Sequence, residues 1–83
     1  MRMDFITFRS VTPAQRGQRS LQQAGIPCSL QRTPAHLEQR GCGYCLRLRY
    51  EDTERAVNVL RQQRILFSKV YRTADGGMEE LVL

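Results

Sequence analysis

Cys45-Leu46-Arg47-Leu48-Arg49-Tyr50 is the stretch that decides the fold. Apolar Leu46, Leu48 and Tyr50 alternate with Arg47 and Arg49, the period of two that marks a strand with one buried and one wet face. Working back along the chain, Thr33 to Gly43 reads as a loop punctuated by Pro34, Gly41 and Gly43. Before it, Cys28 to Arg32 can form a strand, with Cys28 and Leu30 on one face. Earlier still, Thr12-Pro13 is a helix start, with Ala14, Gly17, Leu21 and Ala24 at helical spacing and Gly25 as a left-handed cap. Phe5-Ile6-Thr7-Phe8 is a short β-type run. Working forward, Asp52 or Thr53 caps a second helix with Ala56, Val57 and Leu60 as its apolar stripe and Ile65 just beyond. Phe67 to Arg72 reads as a further strand, Ala74-Asp75-Gly76-Gly77 as a turn, and Leu81-Val82-Leu83 as a short edge strand. The order β-α-β-β-α-β predicts an α+β ferredoxin-like sandwich: an antiparallel sheet, strand order 4-1-3-2, with two helices on one face.

The 83 residues allow one domain, 1–83. A chain this short has a thin core, so a partner chain or a metal could matter to its stability. No run approaches the roughly 20 apolar residues of a membrane span, and the N-terminus carries no signal-peptide pattern. A cytoplasmic location is expected, where thiols stay reduced. The net charge is +5, and Lys69 is the only lysine. Arg47 and Arg49 would give the open sheet face a basic character, which suggests a binding module for nucleic acid or an acidic protein as an alternative function. Base stacking is poorly provided for, because the outward positions of that strand are arginines. The open face is also where a homodimer would form.

Chemistry, if present, centres on Cys42-Gly43-Tyr44-Cys45. Three cysteines cannot complete a disulfide framework within one chain, and in a reducing compartment a Cys-x-x-Cys pair points to metal or redox chemistry. Gly41 and Gly43 allow unusual backbone angles around Cys42 and let a substrate approach. Arg40, with Arg47 and Arg49 near in sequence, could favour a thiolate. Cys42, in the loop, is the better nucleophile, while Cys45 begins a strand. Cys28 reads as a small core hydrophobe. Cys28, His36, Cys42 and Cys45 would make a complete tetrahedral zinc set, the second alternative. Against it, the predicted fold puts Cys28 and Cys45 at opposite ends of neighbouring strands, so no metal at all four positions and no cofactor are expected. A thioredoxin-like role fits worse, because the pair precedes a strand and not a helix.

Several of these segments resemble the selenium/sulfur carrier-like proteins of bacteria. Phe5-Ile6-Thr7-Phe8-Arg9-Ser10-Val11-Thr12 is similar to that family's opening strand and Ser/Thr-rich turn. Leu21-Gln22-Gln23-Ala24-Gly25-Ile26-Pro27 is similar to its helix end. Thr33-Pro34, then Cys42-Gly43 and the apolar strand Leu46-Arg47-Leu48, are similar to its Pro-led loop closing on a Cys-Gly pair. The likeness covers most of residues 4–72. It implies that Cys42 holds sulfur or selenium as a persulfide or selenopersulfide, received from a donor such as a cysteine desulfurase. It also implies a carrier, not a multiple-turnover enzyme. The chain departs from the family pattern at Ala35 after Pro34, at Glu38-Gln39-Arg40-Gly41 before Cys42, and at Cys45, where a small residue is usual. Cys45 could resolve a persulfide on Cys42.

Overall fold

Alternation and capping together set the elements of the chain. The computed structural model describes residues 2–33, 43–74 and 77–82. In chain order these are β1 (Met3–Phe8), α1 (Val11–Gln23), β2 (Cys28–Arg32), β3 (Tyr44–Arg49), a 3-10 turn (Tyr50–Asp52), α2 (Thr53–Gln62), β4 (Val70–Ala74) and β5 (Gly77–Leu81). The strands form one sheet in the order β2-β3-β1-β4-β5, with every neighbouring pair antiparallel.

Among the described residues the fold is therefore α+β, with a five-stranded antiparallel sheet and two α-helices. The expected ferredoxin-like β-α-β-β-α-β arrangement is corrected by β5. This strand begins at Gly77 and pairs along the whole of β4, from Ala74–Gly77 to Val70–Leu81. Of the anticipated Leu81-Val82-Leu83 edge strand, Leu81 belongs to it and Val82 does not, while Leu83 lies outside the described residues. Ala74 pairs with Gly77, so the edge is longer than its apolar residues suggested; Asp75 and Gly76 of the expected turn lie outside the described residues.

Register decides which side chains share a face. Ile6 lies opposite Leu46 and Val70, and Phe8 lies opposite Tyr44. These side chains meet Ala14 and Leu21 of α1 and Ala56, Val57 and Leu60 of α2 in one buried cluster, so both helices cover this face. Gly17 makes the close packing feasible. A Cβ there would sit 3.2 Å from Leu60 and Phe8 and 3.3 Å from Leu46.

Both helices end in the same motif. Ile26 N–H donates to Leu21 O at 2.8 Å and Gly25 N–H to Gln22 O at 3.0 Å, the paired bonds of a Schellman cap, with Gly25 at φ 78°. At the end of α2, Ile65 N–H donates to Leu60 O at 2.9 Å and Arg64 N–H to Arg61 O at 3.1 Å. Here the left-handed position is Arg64, at φ 56°.

Other boundaries move. The N-cap of α1 is Ser10, not Thr12, and Pro13 falls third in the helix, where no N–H is needed for the helical ladder. Asp52 occupies the N-cap of α2, but its carboxylate pairs with Arg49 at 3.0 Å and does not cap the helix. β4 begins at Val70, not Phe67. Ser68 and Lys69 nevertheless bond Thr7: Ser68 N–H donates to Thr7 O at 2.7 Å, and Thr7 N–H to Lys69 O at 2.8 Å.

Tyr50 was expected inside with Leu46 and Leu48. It is 47% exposed and lies under the Arg72 guanidinium, 5.6 Å from its centre to the ring centroid. β3 ends at Arg49 and Tyr50 opens the 3-10 turn, so it no longer follows the strand's alternation. Nearby, Asp4 takes a core-facing position of β1, opposite Leu48 and Arg72. Its wholly buried carboxylate accepts two bonds of 2.9 Å from Arg72 and one from the Thr53 hydroxyl. The Asp4 carboxylate holds the guanidinium pKa above its ordinary value. This end of the core is thus closed by an ion pair, and β3 turns outward before Tyr50 can reach it.

Candidate functional site

The end of the sheet where the Cys-x-x-Cys segment enters β3 is built by three strands. Thr33 N–H donates to Gly43 O at 3.1 Å, so the β2–β3 pairing continues one residue past Arg32–Tyr44. Gly43 is therefore held at a fixed place at the strand entrance. Cys42 is one peptide bond before it. Arg40, Gly41 and Cys42 lie outside the described residues, as does His36, so their expected roles rest on sequence.

Cys45 is placed clearly. It pairs with Gln31 on β2 and Thr7 on β1, and its parity puts it on the sheet face away from the helices. It has no exposed surface. Its Sγ lies 3.9 Å from the Arg32 carbonyl, a weak S–H contact. Burial pushes its thiol pKa up, and the neighbouring Thr33 hydroxyl offsets this only partly. That hydroxyl is itself buried and, among the described residues, has no hydrogen bond of normal geometry. Among the described residues, no arginine shifts the Cys45 thiol. Arg47 is two residues along the same face, roughly 7 Å by strand rise. Arg49 is engaged with Asp52 at 3.0 Å and Glu51 at 3.5 Å.

Cys28 is half-buried on the opposite, helix-bearing face, where it packs against the core with its Sγ 3.9 Å from Gln18 O. Burial raises its thiol pKa as well. It stands opposite Leu48, three rungs from Cys45, about 10 Å along the strand. Opposite faces and that offset prevent one ion, with Zn–S bonds of about 2.3 Å, from taking both sulfurs. A site using Cys28, His36, Cys42 and Cys45 together is incompatible with this register.

The structure thus brings Gly43 and Cys45 to one sheet end and separates Cys28 from them. What sequence reading missed is the Asp4–Arg72–Thr53 cluster. Its signal was present: Asp4 is in phase with Ile6 and Phe8, so the acid had to face the core and find a cation there.

Compared with known families, residues 4–72 match the one described as "Putative Se/S carrier protein-like". The matched span includes Cys42, Gly43 and Cys45. No curated protein matches the chain.

Proposed function

Since the chain belongs to the putative Se/S carrier protein-like family, we propose that it carries sulfur or selenium as a persulfide or selenopersulfide on Cys42. The observation that carries this reading is the family match across the Cys42-Gly43 pair, supported by the fixed seat of Gly43 against Thr33. In loading, the Cys42 thiolate attacks the outer sulfur of a donor persulfide. A new S–S bond forms on Cys42, the donor S–S bond breaks, and the donor leaves as a thiolate, with no net change in oxidation level. Delivery is the same step in reverse, onto an acceptor thiolate. Arg40 would stabilise the terminal anion, and Gly41 and Gly43 would leave room for the donor's chain.

Cys45 has a narrower role in this scheme. Its attack on Cys42 Sγ would form a disulfide and release hydrosulfide, reducing the carried sulfur at the expense of two thiols. Burial and the raised pKa keep its thiolate scarce. The carried sulfur therefore persists until an acceptor is met and is not discharged at once by Cys45. The protein acts as a carrier in a reducing, cytoplasmic setting, and its partners are a donor such as a cysteine desulfurase and an acceptor protein.

The test is intact-mass analysis of the reduced protein after incubation with a cysteine desulfurase and cysteine. The expected product carries one added sulfur, mapped by peptide analysis to Cys42 and lost in Cys42→Ser. A chain that stays unloaded while a known carrier is loaded alongside it would overturn the reading.

A further inference from the structure

A cleft of about 590 Å³ opens beside the start of β4, lined by Arg9, Pro13, Leu66, Phe67, Ser68 and Lys69. Its apolar side is exposed to an unusual degree. Leu66, in the irregular segment between α2 and β4, is 85% accessible, whereas the leucines on the described helices and strands are buried or half-buried. Phe67 is held half-buried beside it, with the Arg61 guanidinium 6.0 Å from its ring. The remaining lining is cationic, with Arg9 and Lys69 and no acid. Arg9 makes no ion pair among the described residues. Lys69 has a 3.6 Å contact with Glu80, but both side chains are half-exposed, and such a pair exchanges readily for another carboxylate.

The cleft also has a definite position relative to the strand entrance. Thr7 bonds Lys69 on one side and lies opposite Cys45 on the other. Two strand spacings, roughly 10 Å, therefore separate Lys69 from Cys45. Beyond the Phe8–Tyr44 rung, the next residue on β1's side is Arg9 and on β3's side is Gly43. The cleft and the seat of Gly43 share one end of the sheet.

We infer that this cleft is the docking site for an acidic segment of a partner protein that carries one or two large apolar side chains. The apolar side chains would lie on Leu66, Phe67 and Pro13, and the carboxylates would meet Arg9 and Lys69. An exposed apolar patch rimmed by charge of one sign is how a surface selects a partner of opposite charge. A small polar anion would leave Leu66 uncovered, and a purely apolar segment would leave Arg9 with no ion-pair partner among the described residues. The inference concerns how a partner is held and stands whether or not Cys42 is the atom that carries the cargo.

Fluorescence polarisation with the full chain tests it, using the fluorescein-labelled peptide DELFED as probe. Saturable binding is expected, weakened by about tenfold or more in Leu66→Ser and in Arg9→Glu. Both residues are surface residues, and circular dichroism should show both variants folded. The control peptides DESSED, which keeps the acids, and NQLFQN, which keeps the apolar pair, should each bind at least about tenfold more weakly. Absence of saturable binding up to about 1 mM overturns the inference, as does binding indifferent to the two substitutions or equal binding of DESSED. A Leu66-dependent dimer in sedimentation equilibrium would also overturn it, because the cleft would then belong to a second copy of the chain.

Discussion

Arg72→Met should damage the fold more than Asp4→Ala, although the two residues form one ion pair. The Asp4 carboxylate has no exposed surface and accepts two bonds from Arg72 and one from Thr53. Without the guanidinium it keeps a single hydroxyl donor and cannot reach water. Breaking a buried pair from that side costs about 3–5 kcal/mol. Arg72 is better placed for the loss of its partner, since its side chain is 27% exposed and can turn outward. Thr53 retains a second, weak contact to Arg49 O at 3.4 Å. Asp4→Ala should therefore cost about 1–3 kcal/mol. A chain of this size has a total stability of only about 4–12 kcal/mol, so Arg72→Met removes a large share of it. The double variant should be more stable than the sum of the single losses predicts, with a coupling of about 1–3 kcal/mol. The chain has no tryptophan, so urea unfolding at neutral pH followed by far-UV circular dichroism is the suitable assay. An Arg72→Met loss no larger than that of Asp4→Ala would refute this account of the core's closed end. Additivity of the two within about 0.5 kcal/mol would do the same.

The two Schellman caps make an opposed pair of predictions. Gly25→Ala should destabilise by about 1 kcal/mol through its left-handed angle alone, since the nearest atom to an added Cβ is 3.8 Å away, while Arg64→Gly should stabilise by about 0.5–1 kcal/mol; both are read from urea midpoints. Gly17→Leu should cost at least about 2 kcal/mol, because even the first added carbon presses on Leu60, Phe8 and Leu46, and thermal melts will show it. The raised thiol pKa of Cys45 has a definite sign: above the ordinary value of 9.0 the unfolded thiol gives up its proton while the folded one keeps it, so the unfolded state binds fewer protons and stability falls as pH rises. Cys45→Ala should flatten the alkaline part of the stability–pH curve; an unchanged slope would contradict the assignment. In the native protein Cys45 should resist iodoacetamide and react once urea unfolds the chain, as peptide mapping of the alkylated thiols will read.

What the sequence alone determined is what depends on near neighbours. The alternation around Leu46 and Leu48 marked β3 and its inward face, and Arg47 and Arg49 are exposed as that period requires. Gly25 ends α1 because only the residue itself has to accept a left-handed angle, and Ala14, Gly17 and Leu21 are buried at the spacing of one helical face. The Cys42-Gly43 pair and its family resemblance were likewise legible from order and spacing alone. Tertiary structure decided everything that depends on register between distant strands. Asp4 and Arg72 are 68 residues apart, and only the β1–β4 pairing brings them together. Tyr50 falls in the 3-10 turn after β3, so the alternation of that strand does not extend to it, and its ring lies under Arg72. Cys28 and Cys45 look like members of one ligand set along the chain, yet the β2–β3 register puts them on opposite faces, because a period of two sends residues separated by an odd number of rungs to opposite sides of a sheet. The cleft beside Leu66 is non-local for the same reason: Arg9 and Lys69 line one surface only because Thr7 pairs with the chain at Ser68 and Lys69.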